Sequence, residues 1–252
     1  MMIRTQLKDR EYFDKALTFY SSVIEKRIAG LDGLNDEGKA GSSFDIWDYG
    51  FRLVVVRYSR GDVIGDMRDS VLQVQELLAL QRSIFASIQL QKDVRQMYER
   101  LDLGRLYESL TLLAFMASLR FSVQDTRGAL DLIGHAGEDA LLDRVARVLG
   151  DESRPVAAQS KFPKIYGPLV EIIEVPAEQR ADKLKKYVEG WYKRMKPIYW
   201  HDSHEGGAEG AYFGYWCFEA ALVAMLFDVD DSAISAHPHY PADLVRHYRS
   251  LG

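Results

Sequence analysis

Apolar side chains recur at intervals of three and four residues along most of this 252-residue chain. Between Glu11 and Ile28 they form one stripe, which predicts a helix that ends near Gly30. The same spacing predicts further helices in 42–58, from Met67 onward, and in 106–117, 127–133, 141–149 and 184–195. No segment shows the sustained apolar and polar alternation of a strand. The pattern therefore predicts an all-α protein, a multi-helix bundle or helical-hairpin array in two packed subdomains.

Glycines and capping residues predict where the second helix begins and ends. The polar, glycine-rich residues 31–41 predict a loop, and Ser42 followed by Asp45 is a capping-box-like start. Gly61 is expected to end this helix, and Asp62 is expected to cap the next one.

The longest apolar run, at 211–227, spans about 17 residues and includes Glu219. This length and the buried carboxylate predict a core helix rather than a membrane span. The N-terminus has no apolar segment typical of a secretory signal. The single cysteine, Cys217, excludes an intramolecular disulfide framework. We therefore expect a cytoplasmic protein that does not bind a membrane.

Charge is distributed unevenly between the two halves of the chain. The formal net charge is -5, and residues 1–121 contain 17 basic and 17 acidic side chains, so the later residues carry the whole acidic excess. Binding to duplex DNA requires basic side chains that neutralise phosphates. Direct binding to nucleic acid is therefore not expected.

The stretch from Ile198 to Asp243 contains no lysine or arginine and eight carboxylates. It follows a basic helix at 180–196, which has the pattern of a solvated face and could neutralise the acidic stretch within one fold. We predict that the acidic stretch binds a partner. The candidate partner-binding residues are Asp202, Glu205, Glu209, Asp228, Asp230 and Asp231.

Two imidazoles and two carboxylates lie within His201–Glu205, and such groups can ligate zinc, manganese or iron. The spacing is not the H-E-x-x-H pattern, in which two histidines share one helix face. Hydrogen bonds that fix a turn, or contacts with a partner, are the alternative and favoured interpretation. We predict no bound metal or other cofactor and no catalytic residue.

Glu219 lies among apolar residues, so its carboxylate must be paired or protonated. Active-site acids and structural pairs both produce this pattern, and we favour a structural pair. Its candidate partners are His201, His204, Arg57 and Arg60. Cys217, in the same apolar run, is predicted to be an ordinary buried thiol rather than a nucleophile.

Several motifs resemble one known family. They are Trp191, the run Tyr199–His204, the run Gly214–Ala221, Asp230 with Asp231, and the run His239–Leu244. In this order they resemble the C-terminal domain of PoNi-type immunity proteins, bacterial antitoxins against polymorphic DNase toxins of contact-dependent secretion such as type VI. The run Arg57–Gly61 resembles the N-terminal domain of that family.

The resemblance implies a non-enzymatic helical protein with domains at 1–121 and 122–252, which binds its cognate toxin tightly in the cytoplasm. The motif residues are expected to determine the fold rather than contact the toxin. They are Arg57, Tyr58, Arg60, His201, His204, Trp216, Glu219 and Tyr240. Two alternatives remain open, a metal-dependent hydrolase or oxygenase using His201, Asp202, His204 and Asp231, and a helical scaffold. The oligomeric state is also left open.

Overall fold

The computed structural model describes residues 3–252, and within this range it contains eleven α-helices and no β-strand. The helices are α1 (Arg10–Gly30), α2 (Asp36–Arg60), α3 (Arg68–Ser87), α4 (Lys92–Glu99), α5 (Leu103–Ser118), α6 (Val123–Ile133), α7 (Ala140–Val148), α8 (Gly167–Glu174), α9 (Ala177–Arg194), α10 (Phe218–Leu226) and α11 (Ala242–Ser250). The predicted all-α, multi-helix class is confirmed. Met1 and Met2, at the start of the N-terminus used to predict localisation, lie outside the described residues.

The chain forms two compact units. The first unit comprises residues up to Arg100 together with Asp202–Gly214, and the second comprises Leu101–His201 with Tyr215–Gly252. The chain therefore leaves the second unit for a short segment and then returns to it. The predicted helical domains at 1–121 and 122–252 remain a prediction.

In the first unit, α2 packs against both α1 and α3. Its aromatic core includes Phe13, Tyr20, Phe51 and Phe213, each at most 2% exposed. The buried residues Ala40, Phe85 and Ile88 form a smaller cluster, against which Tyr98 of α4 packs. Burial of these rings contributes to the hydrophobic stabilisation of the unit.

In the second unit, α10 packs against α5, α7, α8, α9 and α11. Every residue from Phe218 to Met225 is buried, and all of them except Glu219 are apolar. A helix without a polar face is stable only when other elements surround it. The second unit is therefore built around α10.

The second helix begins earlier than predicted. The expected loop at 31–41 is wrong for most of its length, because α2 starts at Asp36. Asn35 accepts a hydrogen bond from the Gly38 N–H at 2.9 Å and so caps the helix. Because the Asn35 side chain satisfies a backbone N–H of the first turn, the helix can begin within the glycine-containing segment.

Gly61 ends α2 as predicted, with φ 95° in the left-handed region. Its N–H donates to the Tyr58 carbonyl at 3.0 Å, and the Asp62 N–H donates to the Arg57 carbonyl at 3.1 Å. The predicted capping role of Asp62 is wrong, because α3 begins only at Arg68, after a 3-10 turn at Ile64–Met67.

The long apolar run is helical only at Phe218–Leu226, so the predicted 17-residue helix is too long. Gly214 has φ 114°, which interrupts any helix there. The Cys217 N–H donates to the His239 carbonyl at 2.8 Å, outside a helical ladder. Tertiary hydrogen bonds therefore replace helical ones in the first part of the run. No helix among residues 3–252 is both long and apolar enough to cross a membrane.

Candidate functional site

The segment Asp202–Gly214, here called the strap, carries three of the predicted partner-binding carboxylates and belongs to the first unit. Its backbone is held by side chains of α1. The Tyr12 hydroxyl donates to the carbonyls of Gly207 at 3.2 Å and Tyr212 at 2.9 Å. The Tyr20 hydroxyl donates to the Gly210 carbonyl at 2.6 Å. These bonds fix an irregular segment that has little helical structure of its own.

Apolar contacts anchor the end of the strap. Tyr212 and Phe213 are fully buried, and the Phe213 ring lies edge-on to Phe51 with 6.0 Å between centroids. The buried Ser59 hydroxyl donates to the Phe213 carbonyl at 2.6 Å. With its end anchored in the core, the strap presents Asp202, Glu205 and Glu209 as exposed residues.

The other three predicted contact residues lie in the second unit, and they differ in exposure. Asp228 and Asp230 are exposed, and Asp230 accepts hydrogen bonds from Ser232 that lower its pKa. Asp231 is buried, 5% exposed, and does not fit the predicted role as an accessible partner-binding residue. It accepts hydrogen bonds from the Tyr240 hydroxyl at 2.9 Å and from Arg249, so it supports the fold.

The basic helix α9 does not supply the cations that pair with Asp231 and Asp243. Those carboxylates pair with Arg249 and Arg246 of α11. In α9, Lys183 pairs with Glu171 at 2.6 Å. Lys183 is thus directed to α8 and not to the acidic stretch.

The residues of the hypothetical metal cluster are not brought together as a binding site. Among residues 3–252, no group of three or more His, Cys, Asp or Glu side chains is arranged to hold a metal ion. His201 belongs to the second unit, where its ring stacks on Tyr192 with 4.3 Å between centroids. Asp202 and His204 belong to the strap. The arrangement therefore does not support the metal-dependent alternative.

Glu219 is 1% exposed and is bound by neutral donors. The Trp191 indole N–H donates to its Oε1 at 2.5 Å, and the Tyr187 hydroxyl donates at 3.1 Å. The predicted arginine partners are wrong, since Arg57 and Arg60 both pair with Asp62 instead. Desolvation by burial raises the Glu219 pKa to about 7, against the opposing effect of these hydrogen bonds.

Cys217 and Tyr166 complete the buried surroundings of Glu219. The Cys217 thiol is fully buried, as predicted, and desolvation raises its pKa well above the usual value. The Tyr166 hydroxyl is also buried, and its pKa is raised first by desolvation and then by the charge of Glu219. A buried thiol of raised pKa is a poor nucleophile, because little of it is thiolate near neutral pH.

The family-like motifs of the second half meet in one aromatic cluster. Trp191 lies 5.6 Å from Trp200 and 5.5 Å from His239, measured between ring centroids. The neighbouring Tyr192 ring is nearly parallel to His239 at 5.1 Å. The backbone carbonyl of Trp216 accepts a hydrogen bond from Tyr107 at 3.1 Å. Sequence motifs that are far apart along the chain therefore build one aromatic cluster in the second unit, in which Trp191 and Trp200 are fully buried.

The run Arg57–Gly61, the family-like motif of the first half, lies at the C-terminal end of α2. Arg57 and Arg60 donate to the Asp62 carboxylate at 2.9 and 2.8 Å. Desolvation acts to raise the Asp62 pKa, but the hydrogen bonds from both arginines lower it. Arg4 donates to the Tyr58 carbonyl at 2.7 Å and lies over the Tyr58 ring. The motif thus joins the N-terminal residues to the end of this helix.

Residues 137–244 match the family model described as PoNe immunity proteins (PoNi), C-terminal. This part of the chain is similar to the C-terminal domain of PoNi immunity proteins. The matched residues include Glu219, the rings of the aromatic cluster from Trp191 to His239, and the strap. The predicted family resemblance is confirmed over this range, while the likeness of the first half to the PoNi N-terminal domain remains a prediction.

The fold also resembles a solved structure. It is similar to the crystal structure of protein PA2201 from Pseudomonas aeruginosa, with a TM-score of 0.69 and 18% sequence identity. The alignment covers 99% of this chain and 92% of that protein, so the likeness extends over the whole fold. At this identity it supports the fold alone. No curated protein sequence matches the chain.

Sequence reasoning identified the PoNi motifs but missed the residues that position the strap. Tyr12 and Tyr20 lie on α1, far from the strap in sequence, and the helical spacing assigned Tyr20 only to a buried stripe. Two tyrosines two turns apart could have indicated hydroxyl groups that need partners, because buried phenols usually form hydrogen bonds. Their acceptors could not be identified without the tertiary structure.

Proposed function

We propose that this chain is an immunity protein that neutralises a cognate secreted DNase toxin by binding it in the cytoplasm. The PoNi family match over 137–244 is the observation that carries this proposal. The similarity to this family implies a toxin as partner. The finer features that we propose are a DNase as the toxin, delivery by type VI or related contact-dependent secretion, and coverage of the DNase active site or DNA-binding face.

The exposed carboxylates support a nuclease as partner. A DNase must present basic side chains to bind the phosphates of its substrate. Asp202, Glu205 and Glu209 on the strap offer opposite charge to such a surface. Complementary charge speeds encounter and selects the partner, while buried contacts supply most of the affinity.

The placement of the reactive groups supports a binding function rather than an enzymatic one. Glu219 and Cys217 are the reactive side chains of the buried centre, and both are enclosed by the core. A catalytic acid or nucleophile has to reach its substrate. We therefore propose no catalytic residue and no cofactor, and we expect the purified protein to show no turnover.

A nuclease assay tests the proposed function directly. The purified full chain is titrated into the active toxin encoded by the neighbouring gene, and cleavage of duplex DNA is followed on a gel. We expect inhibition that saturates near one equivalent, as for a tight complex of two proteins. An unrelated DNase serves as the control and should keep its activity. Full DNA cleavage at a several-fold excess of this protein, with no complex by gel filtration, would refute the proposal.

A further inference from the structure

An open groove of about 920 Å³ lies within the first unit, between α1 and the strap. It is lined by Glu11, Asp14, Lys15, Thr18, Phe19, Ser22 and residues 207–210. The volume lies within the range of roughly 300–1,000 Å³ that is common for ligand pockets. The groove is thus large enough to receive a long side chain together with part of the backbone that carries it.

Hydrogen bonds hold the two walls of the groove in place. Tyr20 of α1 donates to the Gly210 carbonyl at 2.6 Å, and Tyr12 donates to the Gly207 carbonyl at 3.2 Å. Both tyrosine rings are buried, so the two donor hydroxyl groups are held in place by the core of the first unit. A groove with fixed walls loses little conformational freedom on binding, which favours affinity.

The groove has acidic sides with one unpaired carboxylate. Lys15 pairs with Glu11 at 2.7 Å, and Asp14 pairs with Arg60 at 2.8 Å. Glu209 is exposed on the strap and makes no ion pair with any residue of 3–252. A cation that enters the groove can therefore pair with Glu209 without displacing an existing partner.

An aromatic ring accompanies these carboxylates. Phe19 lines the groove, is half-buried, and is supported from behind by Tyr20 and Tyr49 at centroid distances of 5.7 and 6.2 Å. Arginine is suited to such surroundings, because its planar guanidinium binds carboxylates with two hydrogen bonds and also stacks on aromatic rings. Lysine offers only a compact, strongly hydrated charge.

We propose that this groove receives an arginine side chain from the basic, DNA-facing surface of the cognate nuclease. The inference rests on the proposed immunity function and adds a place of contact in the first unit, outside the PoNi match at 137–244 except for the strap. Charge complementarity with a nuclease surface identifies the occupant. Glu209 pairs with the guanidinium, and Phe19 packs against its face.

The test uses the full chain and the nuclease encoded by the neighbouring gene, with affinity measured by calorimetry at low and high salt. In Glu209→Lys, affinity should fall roughly tenfold or more at low salt, and less at high salt, where charges are screened. In Gly207→Leu, affinity should also fall, because the new side chain enters the groove. A Cβ at Gly207 meets no atom within 4 Å, so the backbone there has room for a side chain.

A third variant should act in the opposite direction. Lys15→Gln removes the cation that pairs with Glu11, so it makes the groove more acidic and should strengthen binding. Unfolding cannot explain opposite effects at neighbouring positions. The matched control is Glu76→Lys, the same charge reversal at an exposed position of α3 outside the groove, and it should change affinity less than twofold.

The outcomes separate this inference from the function on which it rests. If the wild-type protein neither binds nor inhibits the nuclease, the proposed function fails and the groove assignment fails with it. If the wild type inhibits and both Glu209→Lys and Gly207→Leu bind as tightly as wild type, only the groove assignment is refuted. It is also refuted if these variants alter self-association in gel filtration while toxin affinity is unchanged, since the occupant is then a second copy of the chain.

Discussion

Glu219 is a single buried residue that makes the stability of the folded chain depend on pH. Its carboxyl group accepts hydrogen bonds from Trp191 and Tyr187, which are neutral, while burial favours the protonated form. The pKa is about 7 in the folded protein, against 4.5 for an ordinary glutamate. The folded chain therefore holds a proton that the unfolded chain releases between these two values.

Glu219→Gln should remove this dependence on pH. Because the folded pKa is raised, the wild-type stability contribution is complete below the unfolded pKa of 4.5 and is lost as pH rises through about 7. The glutamine keeps the acceptor oxygen and never ionises. Relative to wild type, its free energy of unfolding should rise by roughly 2–3 kcal/mol between about pH 5 and pH 8. Urea denaturation at both pH values measures the change.

The control for this prediction is Glu76→Gln, which alters an exposed glutamate in the middle of α3. The free energy of unfolding of this variant should differ from that of wild type by the same amount at both pH values. The prediction is contradicted if the difference in stability between wild type and Glu219→Gln is the same at both pH values. That result would show that the Glu219 carboxyl group stays ionised or that water reaches it.

At the scale of elements, the strap is a segment whose conformation depends on another helix. Its carbonyls at Gly207, Gly210 and Tyr212 accept hydrogen bonds from the two α1 tyrosines. Carbonyl groups that are shielded from water need such partners, and the strap itself supplies only a 3-10 turn at Ser203–Glu205 and a turn bond from the Gly210 N–H to the Gly207 carbonyl. The geometry of the groove therefore depends on two hydroxyl groups.

Tyr20→Phe removes one of these hydroxyl groups and keeps the ring. The Gly210 carbonyl would lose its donor, so we expect the free energy of unfolding to fall by about 1–2 kcal/mol. Amide hydrogen exchange of residues 206–212 should accelerate before that of α2 or α3. Hydrogen exchange with mass spectrometry and urea denaturation measure the two effects.

Tyr49→Phe is the matched control, because the Tyr49 ring lies 5.3 Å from Tyr20 while its hydroxyl makes no hydrogen bond with residues 3–252. This variant should change neither stability nor exchange in the strap. Equal effects of the two substitutions would indicate that the rings, and not the hydroxyl group of Tyr20, hold the strap.

At the scale of the whole molecule, no single cut separates the two compact units. The strap lies between His201 and Tyr215 in sequence, but it belongs with residues up to Arg100. Tyr212 and Phe213 are buried among first-unit residues such as Phe13 and Phe51. A chain that begins at Leu101 would carry these two aromatic side chains without the surfaces that cover them.

The fragment 101–252 should therefore be less stable and more prone to associate than the full chain. Exposed aromatic residues bind hydrophobic dyes and promote aggregation. We expect increased binding of a hydrophobic dye and larger species in gel filtration. Replacing Tyr212 and Phe213 by serine in the fragment should reduce both signals. A fragment that is monomeric and unfolds as cooperatively as the full chain would contradict this expectation.

The sequence alone determined the helical class, the PoNi resemblance of the second half and the end of α2 at Gly61. These follow from local signals, namely apolar spacing, motif order and a glycine that adopts positive φ. The start of α2 was misplaced because the capping role of Asn35 was overlooked. Only the tertiary structure decided the neutral partners of Glu219, the short extent of α10 and the docking of the strap on α1. Each of these depends on contacts between residues distant in sequence, where burial and hydrogen bonding outweigh local propensity.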